Sequence, residues 1–382
     1  MVQYKYMKSS VLMLYGPYGQ HPWREDMFDR PDKIQKDLQK LGFDFAIAMA
    51  AQAPSGKDAL PEIRIAENPI YDQKTGVLLE AHFKPGTIED YPSIIDHWVA
   101  NFQDEVLQPD GTYQRTAYGL GLPPERLWNH KNIQTYGNRK DLMERIIEKQ
   151  GVAIPTFSAL NYDAFVDRYG AERELIYKPQ GGSRGIGVEV FRNIKDLHDA
   201  IQTKRIATNG FIQPYLRNNI PIQGVVPLTD NDATLLKQYN TMPDRPREIR
   251  MHVITTTDEA GQLRTEAFPI MKISEPHRKY LKFQLGIGLA SDNLGPGSHI
   301  YDATVAMAQT VCREAGGDTP IPQYYGVFDW LVDGDVRNPE DVYVVDGNCR
   351  GPGLPVCAAP ARDALWRALV YSGKQVMTKA GK

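Results

Sequence analysis

Several things are scarce in this sequence, and each scarcity excludes something. Three cysteines, Cys312, Cys349 and Cys357, are spread over 382 residues, too few for a disulfide framework and without the C-x-x-C spacing of a structural metal site. A reducing, cytoplasmic setting is expected. Long apolar runs are missing too: near the start only Val11 to Tyr15 is continuously apolar, too short for a signal-peptide core or a membrane span. Charge of either sign is not in excess, since 44 Lys and Arg are interspersed with 47 Asp and Glu for a net charge of -3. A nucleic-acid binder would carry a basic stripe, so no nucleic-acid partner is expected, and no membrane. Internal repeats and low-complexity tracts are also lacking, which excludes solenoids and propellers.

What is present suits a soluble enzyme of two or three domains, with 42% hydrophobic and 24% charged residues. Val11 to Tyr15 reads as a strand that stops at Gly16-Pro17-Tyr18-Gly19. Apolar residues at Ile34, Leu38 and Leu41 predict a helix from Pro31, and Phe43 to Ala50 predicts a second strand. This βα opening implies a small unit with parallel strands over residues 1–120. Gly121, Pro123 and Pro124 mark 119–130 as a linker. Asn138 to Gln150 is helical by spacing, with Leu142, Ile146 and Ile147 on one face and Gly151 as the stop, and Pro155 starts a new strand. The last helix is expected over Ala361 to Thr378. The expected domains are 1–120, 121–210 and 211–382, in an α/β (α+β) protein.

From Lys178 to Val188 the chain reads Lys-Pro-Gln-Gly-Gly-Ser-Arg-Gly-Ile-Gly-Val. Backbone N–H groups approach an anion closely only where side chains are absent. Gly181, Gly182, Gly185 and Gly187, with Ser183 and Ile186 among them, therefore make a donor-lined phosphate cover to which Lys178 and Arg184 add charge. Neither a Walker ending nor a G-x-G-x-x-G fingerprint is present. Val188 to Phe191 is a strand by composition, so the segment is strand, glycine loop, strand. A ligand-free glycine hairpin would carry the same pattern.

Downstream, Tyr325 to Asp329 ends one strand in a carboxylate, and Tyr343 to Asn348 ends another in Asp346-Gly347-Asn348. Adjacent strands would gather three hard oxygen donors of the kind magnesium prefers. Asp-Gly-Asn is equally a common turn. Arg250, in Arg247-Glu248-Ile249-Arg250, can face a phosphoryl group with its guanidinium fork or serve as a structural ion-pair partner.

Taken together, residues 138–355 resemble the ATP-grasp superfamily of carboxylate–amine ligases, which includes glutathione synthetase, D-alanine–D-alanine ligase and the ribosomal-protein glutamate ligases. Arg139-Lys140-Asp141-Leu142 with Gly151 to Pro155 resembles that family's Asp-Lys helix and Gly-x-x-x-Pro ending, which makes Lys140 the first nucleotide lysine. Lys178 and its glycines resemble the second lysine and phosphate flap. Gln213-Pro214-Tyr215-Leu216 resembles the adenine hinge. Proline stands where the family often has Glu and donates no N–H, so the resemblance assigns the hinge donor to Leu216. Arg250 and Lys272 would face the phosphates, with Glu248 in place of the usual Asp. Asp329, Asp346 (usually Glu) and Asn348 would hold Mg²⁺ or Mn²⁺, and Arg350 would stand in the polar loop beside the phosphates.

The resemblance implies an ADP-forming ligase: ATP phosphorylates a carboxylate, and an amine attacks the acyl phosphate. The partners would be a small-molecule or peptide carboxylate and an amine such as an amino acid. A homodimer is compatible with the sequence. An ATP-grasp kinase and a non-catalytic ATP-binding regulator share these motifs. Gly16 to His21 is a candidate acceptor-site wall. The segment between Leu216 and Arg247 reads as a long loop, with Asp230 or Asp232 as candidate ribose ligands. Cys349 reads as a packed thiol.

Overall fold

The computed structural model describes residues 9–15, 31–50, 62–71, 78–96, 105–107, 113–115, 122–138, 140–179, 187–216, 220–242, 245–274, 283–349 and 359–380. The fold is mixed α/β, with three main sheets.

In the first part β1 (Ser10–Tyr15) leads to α1 (Pro31–Lys40), β2 (Asp44–Ala50), β3 (Ile63–Tyr71), β4 (Leu78–Gly86) and β5 (Ser93–Asp96). β6 (Glu105–Leu107) and β7 (Tyr113–Arg115) pair with each other, and β8 (Leu127–Trp128) completes a sheet of order β4-β3-β2-β1-β5-β8. Val11 to Leu14 are fully buried, as a central strand covered on both faces requires. The pairs β1–β2, β1–β5 and β5–β8 are parallel as expected, while β3 and β4 add an antiparallel hairpin. The expected linker is corrected: in its described part, 122–130, it is not a tether. Leu127 and Trp128 pair into this sheet, and Arg126 is buried with its guanidinium donating to the carbonyls of Ile88, Glu89 and Tyr91.

α2 (Lys131–Asn138) and α3 (Lys140–Lys149) follow, ended by Gly151 at φ +70. β9 (Phe157–Ser158), α4 (Asp163–Tyr169), β10 (Leu175–Lys178), β11 (Glu189–Phe191), α5 (Ile194–Gln202) and β12 (Phe211–Pro214) form a second, antiparallel unit of order β11-β10-β12-β9. It has its own core of Phe165, Leu175, Tyr177, Leu197 and Ile212.

The third part is α6 (Asp230–Asn240), β13 (Arg247–Thr257), β14 (Leu263–Ser274), β15 (Phe283–Gly288), α7 (His299–Gly316), β16 (Gln323–Val332), β17 (Val342–Asn348) and α8 (Ala359–Ala380). Its antiparallel sheet runs β15-β14-β13-β16-β17. One face packs Met251, Met271, Phe328 and Trp330 against Met307 and Val311 of α7. At one end of the other face Ile254 and Tyr325 join Val11, Met13, Trp128 and the α8 residues Leu365, Trp366 and Leu369 in one core. The long loop expected between Leu216 and Arg247 is corrected as well, because it contains α6. Thr229 caps that helix, and the buried Asp232 carboxylate accepts from Gly288 N at 3.0 Å. Both carboxylate oxygens of Asp232 thus accept hydrogen bonds within the fold, from Gly288 N and Thr229 Oγ1. Arg247, also buried, donates to the carbonyls of Tyr239 and Met242 at the helix end. No helix among the described residues is long and apolar enough to cross a membrane.

Candidate functional site

Side chains alternate across a strand, so Glu248, Arg250, His252 and Ile254 of β13 share the face turned away from α7. Register carries that face across the sheet. Lys272 lies opposite Glu248; Arg250, Asp329 and Asp346 form a second row; His252, Val327 and Asn348 form a third; Ile254 and Tyr325 form a fourth.

The first two rows hold five ionisable side chains, Glu248 and Lys272 in one and Arg250, Asp329 and Asp346 in the other. Arg250 grips Asp329 with both fork nitrogens, Nε to Oδ1 and Nη2 to Oδ2, each at 2.7 Å. Lys272 Nζ contacts the Glu248 carboxylate and stands 3.7 Å from Asp329 Oδ2. Glu248 and Asp329 are only 3% and 7% exposed, a depth at which an unpaired carboxylate would not persist ionised. Burial and the neighbouring Asp329 push the Glu248 carboxyl up to about 8, with Lys272 pulling the other way. Burial would also raise Asp329, yet Arg250 and Lys272 hold it below the usual carboxylate range. Arg250 is correspondingly held protonated by Asp329 against its own burial. Asp329 is thus the carboxylate of the cluster that stays negative.

His252 completes the polar stretch. Burial and the Arg250 charge push its imidazole down to about 3, so it is neutral. Nδ1 lies 2.9 Å from the Tyr325 hydroxyl, and Nε2 is buried without a hydrogen-bond partner among the described residues. Tyr325 is itself fixed through its backbone N–H, which donates to Asn129 Oδ1 at 3.0 Å.

Asp346-Gly347-Asn348 is strand and not turn. A Cβ on Gly347 would come within 2.7 Å of Met143 Sδ and 3.1 Å of Phe328. The glycine lets α3 close on one side while Asp346 and Asn348 project on the other. Two carboxylates facing each other across a ladder pair, with an amide oxygen one row on, are hard donors of the kind a magnesium ion takes when phosphate oxygens complete its shell. Among the described residues no group of three or more His, Cys, Asp and Glu side chains is arranged to hold a metal.

Lys178 ends β10 on the sheet face opposite the Leu175 and Tyr177 core. β10 and β11 pair antiparallel, so the strand, loop, strand reading holds. Gly181, Gly182, Ser183, Arg184, Gly185 and Ile186 lie outside the described residues, as does Arg350. Gly187 closes the hairpin base at φ +75, its Cβ position 3.0 Å from Pro179. Lys140 opens α3, but its side chain lies outside the described set. Ile176 pairs with Gln213, which places Gln213 on the Lys178 face, and Gln213 Nε2 donates to Thr156 Oγ1 at 2.8 Å. Tyr215 N donates to Glu174 O at 2.9 Å. Tyr215 also lines an open cavity of about 400 Å³ with Glu172, Arg173, Glu174 and Asp333. Leu216 turns its side chain to Ile154 and Leu331, two residues past Asp329 on β16.

The structure therefore joins Arg250, Lys272, Asp329, Asp346 and Asn348 on one face and ties Leu216 to its edge. Sequence reasoning passed over His252 and Tyr325. The signal for His252 was the alternation Glu248, Arg250, His252 along a strand already suspected of chemistry. Cys349 is buried, with its thiol pushed up to about 12 by burial, and contacts Tyr324, as a packed residue should.

No family model matches this sequence, and no curated protein is matched by it. Among solved structures the chain is similar to the D-alanine-D-alanine ligase of Coxiella burnetii, with 10% identity, coverage of 97% of each chain and a TM-score of 0.46. It is similar to the VanG D-Ala:D-Ser ligase of Enterococcus faecalis at 10% identity, over 97% of this chain and 100% of that one, with a TM-score of 0.48. It is also similar to the ATP-grasp ligase PsnB, solved with a phosphomimetic variant of a minimal precursor, Mg and ADP, at 13% identity over 96% of this chain and 99% of that chain, with a TM-score of 0.44.

Proposed function

We propose that this protein is an ATP-dependent carboxylate–amine ligase that forms an amide or peptide bond and releases ADP and phosphate. The observation that carries the reading is the face of the five-stranded sheet on which Arg250 and Lys272 pair with Asp329 and Glu248 beside Asp346 and Asn348. Fixed charges at such depth suit a reaction that moves a highly charged group and asks the protein mainly for positioning and neutralisation.

In this reading the first sheet is the substrate-side unit, and the four-stranded and five-stranded sheets clasp the nucleotide. Adenine lies at the hinge, where Tyr215 N–H is committed to Glu174 and Leu216 is the donor the hinge resemblance needs. The triphosphate then runs along β16 from Leu331 toward Asp329. Lys178 and Lys140 draw in the phosphates, the glycines after Lys178 cover them, and Arg250 and Lys272 hold the transferred group. Asp329, Asp346 and Asn348 would hold Mg²⁺ or Mn²⁺, which when bound neutralises phosphate charge. A carboxylate oxygen of the acid attacks the γ-phosphorus, and the bond to the bridging oxygen breaks, with its electron pair leaving on ADP. The amine then attacks the acyl carbon, and phosphate departs. Exclusion of water by the flap keeps the acyl phosphate from hydrolysis.

Hydroxylamine tests the reading, because it traps an acyl phosphate as a hydroxamate. Incubation with Mg·ATP and a set of amino and peptide acids is expected to give hydroxamate and ADP in step. ADP formed together with a stable phosphorylated alcohol would make the protein a kinase, and tight ATP binding with no ADP from any acid would make it a regulator.

A further inference from the structure

Along β16 the polar face runs Leu331, Asp329, Val327, Tyr325. Leu331 packs with the hinge residue Leu216, Asp329 stands in the row with Arg250 and Asp346, and Tyr325 belongs to the apolar seal shared with Ile254 and α8. The row between phosphate and seal is His252, Val327 and Asn348. The role of that row rests on the ligase reading, in which the nucleotide arrives from the hinge side. Phosphoryl transfer keeps the attacking and leaving oxygens in line. The acceptor oxygen therefore belongs on the side of the Asp329 row away from the hinge, one row on, about 7 Å along the strand.

We infer that His252 binds the acceptor: its Nε2–H donates to an oxygen of the carboxylate that takes the phosphoryl group. Nε2 is buried without a hydrogen-bond partner among the described residues, and a ligand oxygen would satisfy it. The Tyr325 hydroxyl lies 2.9 Å from Nδ1; with the phenol as the donor in that contact, the imidazole proton sits on Nε2 and the ring is held. Tyr325 is held in turn by Asn129. A neutral donor suits this position, since a further cation would be repelled by Arg250. His252 transfers no proton in the step; it orients the carboxylate and stabilises the oxygen left as carbonyl on the acyl phosphate.

The acid need not be known to test this. In a complex of ADP, magnesium and orthovanadate, vanadium stands for the phosphorus in flight and its apical oxygen for the attacking oxygen. Vanadate is titrated calorimetrically into the full-length protein with saturating ADP and magnesium. His252→Phe is expected to weaken vanadate binding about tenfold and leave ADP affinity within about twofold. His252→Gln, whose amide N–H reaches the Nε2 position, is expected to restore vanadate binding to within about threefold. If His252→Phe does not fold, His252→Asn replaces it, since its amide reaches only the Nδ1 position and is expected to show the same tenfold loss. Unchanged vanadate binding in these variants, or equal loss of ADP and vanadate, overturns the inference, as does a wild-type protein that binds ADP but no vanadate. A wild-type protein that binds no ADP brings down the ligase reading and this inference with it, a result distinct from the others.

Discussion

On one face of the five-stranded sheet Met251, Phe328 and Trp330 meet α7 without a charge among them; on the other, one residue away along the same strands, Asp329 is buried and Arg250 largely so, with side chains 10% and 19% exposed. The apolar face gains stability in proportion to the area it hides. The polar face gains little, because desolvation of its charges consumes most of their attraction. Both faces lie away from water and their yield differs, so the polar face is explained by what it does for a ligand and the apolar face by what it does for the fold.

The sharpest way to break that comparison is to remove the polar pair whole. The double variant Arg250→Met, Asp329→Leu is expected to lower ATP turnover on the order of 10³-fold or more, while its urea-unfolding free energy stays the same or rises by about 1–4 kcal/mol. Retained turnover, or a large loss of stability, would erase the distinction between the faces. Trp330→Ala probes the other side. It deletes a fully buried ring and its Nε1–H bond to Thr304, and a loss of about 3–5 kcal/mol is expected, with nucleotide affinity little changed in whatever fraction stays folded. The smallest effect concerns pH. The folded value for His252 is about 3 against an ordinary 6.5, so its contribution is complete above about 6.5 and is lost as pH falls toward 3. Urea midpoints at pH 7, 5 and 4 are expected to fall less in His252→Gln than in the wild type; parallel curves would show that the imidazole is not held neutral.

Much of the fold was legible where apolar spacing is local. α1 followed from Ile34 and Leu38, α3 from Ile146 and Ile147, and the β10–β11 hairpin from an apolar strand running into glycines. The misreadings share a cause. Pro123 and Pro124 suggested an exposed tether, but Arg126 satisfies carbonyls more than 30 positions upstream, a compensation that no window around it reveals. Asp230-Asn231-Asp232 looked like a solvated loop, whereas Thr229 with an acidic first turn is how a helix start is capped. At the site, Arg250 and Asp329 were recognisable as strand-borne charges, but their pairing spans 79 positions. His252 was hidden between Met251 and Val253, both core residues of the opposite face.

Asn129 holds a left-handed backbone, φ +61, which asparagine tolerates better than most residues, and there it offers its side-chain oxygen to Tyr325 N–H, 196 residues away. Among the described residues β17 pairs with β16 as far as Val327, and two residues before it Tyr325 takes this side chain as its partner. During folding that bond cannot form until the first sheet has docked, because Asn129 directly follows β8. Closing so long a loop is slow compared with zipping the hairpins of either sheet. The Asn129–Tyr325 bond is therefore expected to form late, and on refolding the recovery of secondary structure is expected to run ahead of the docking of the first sheet.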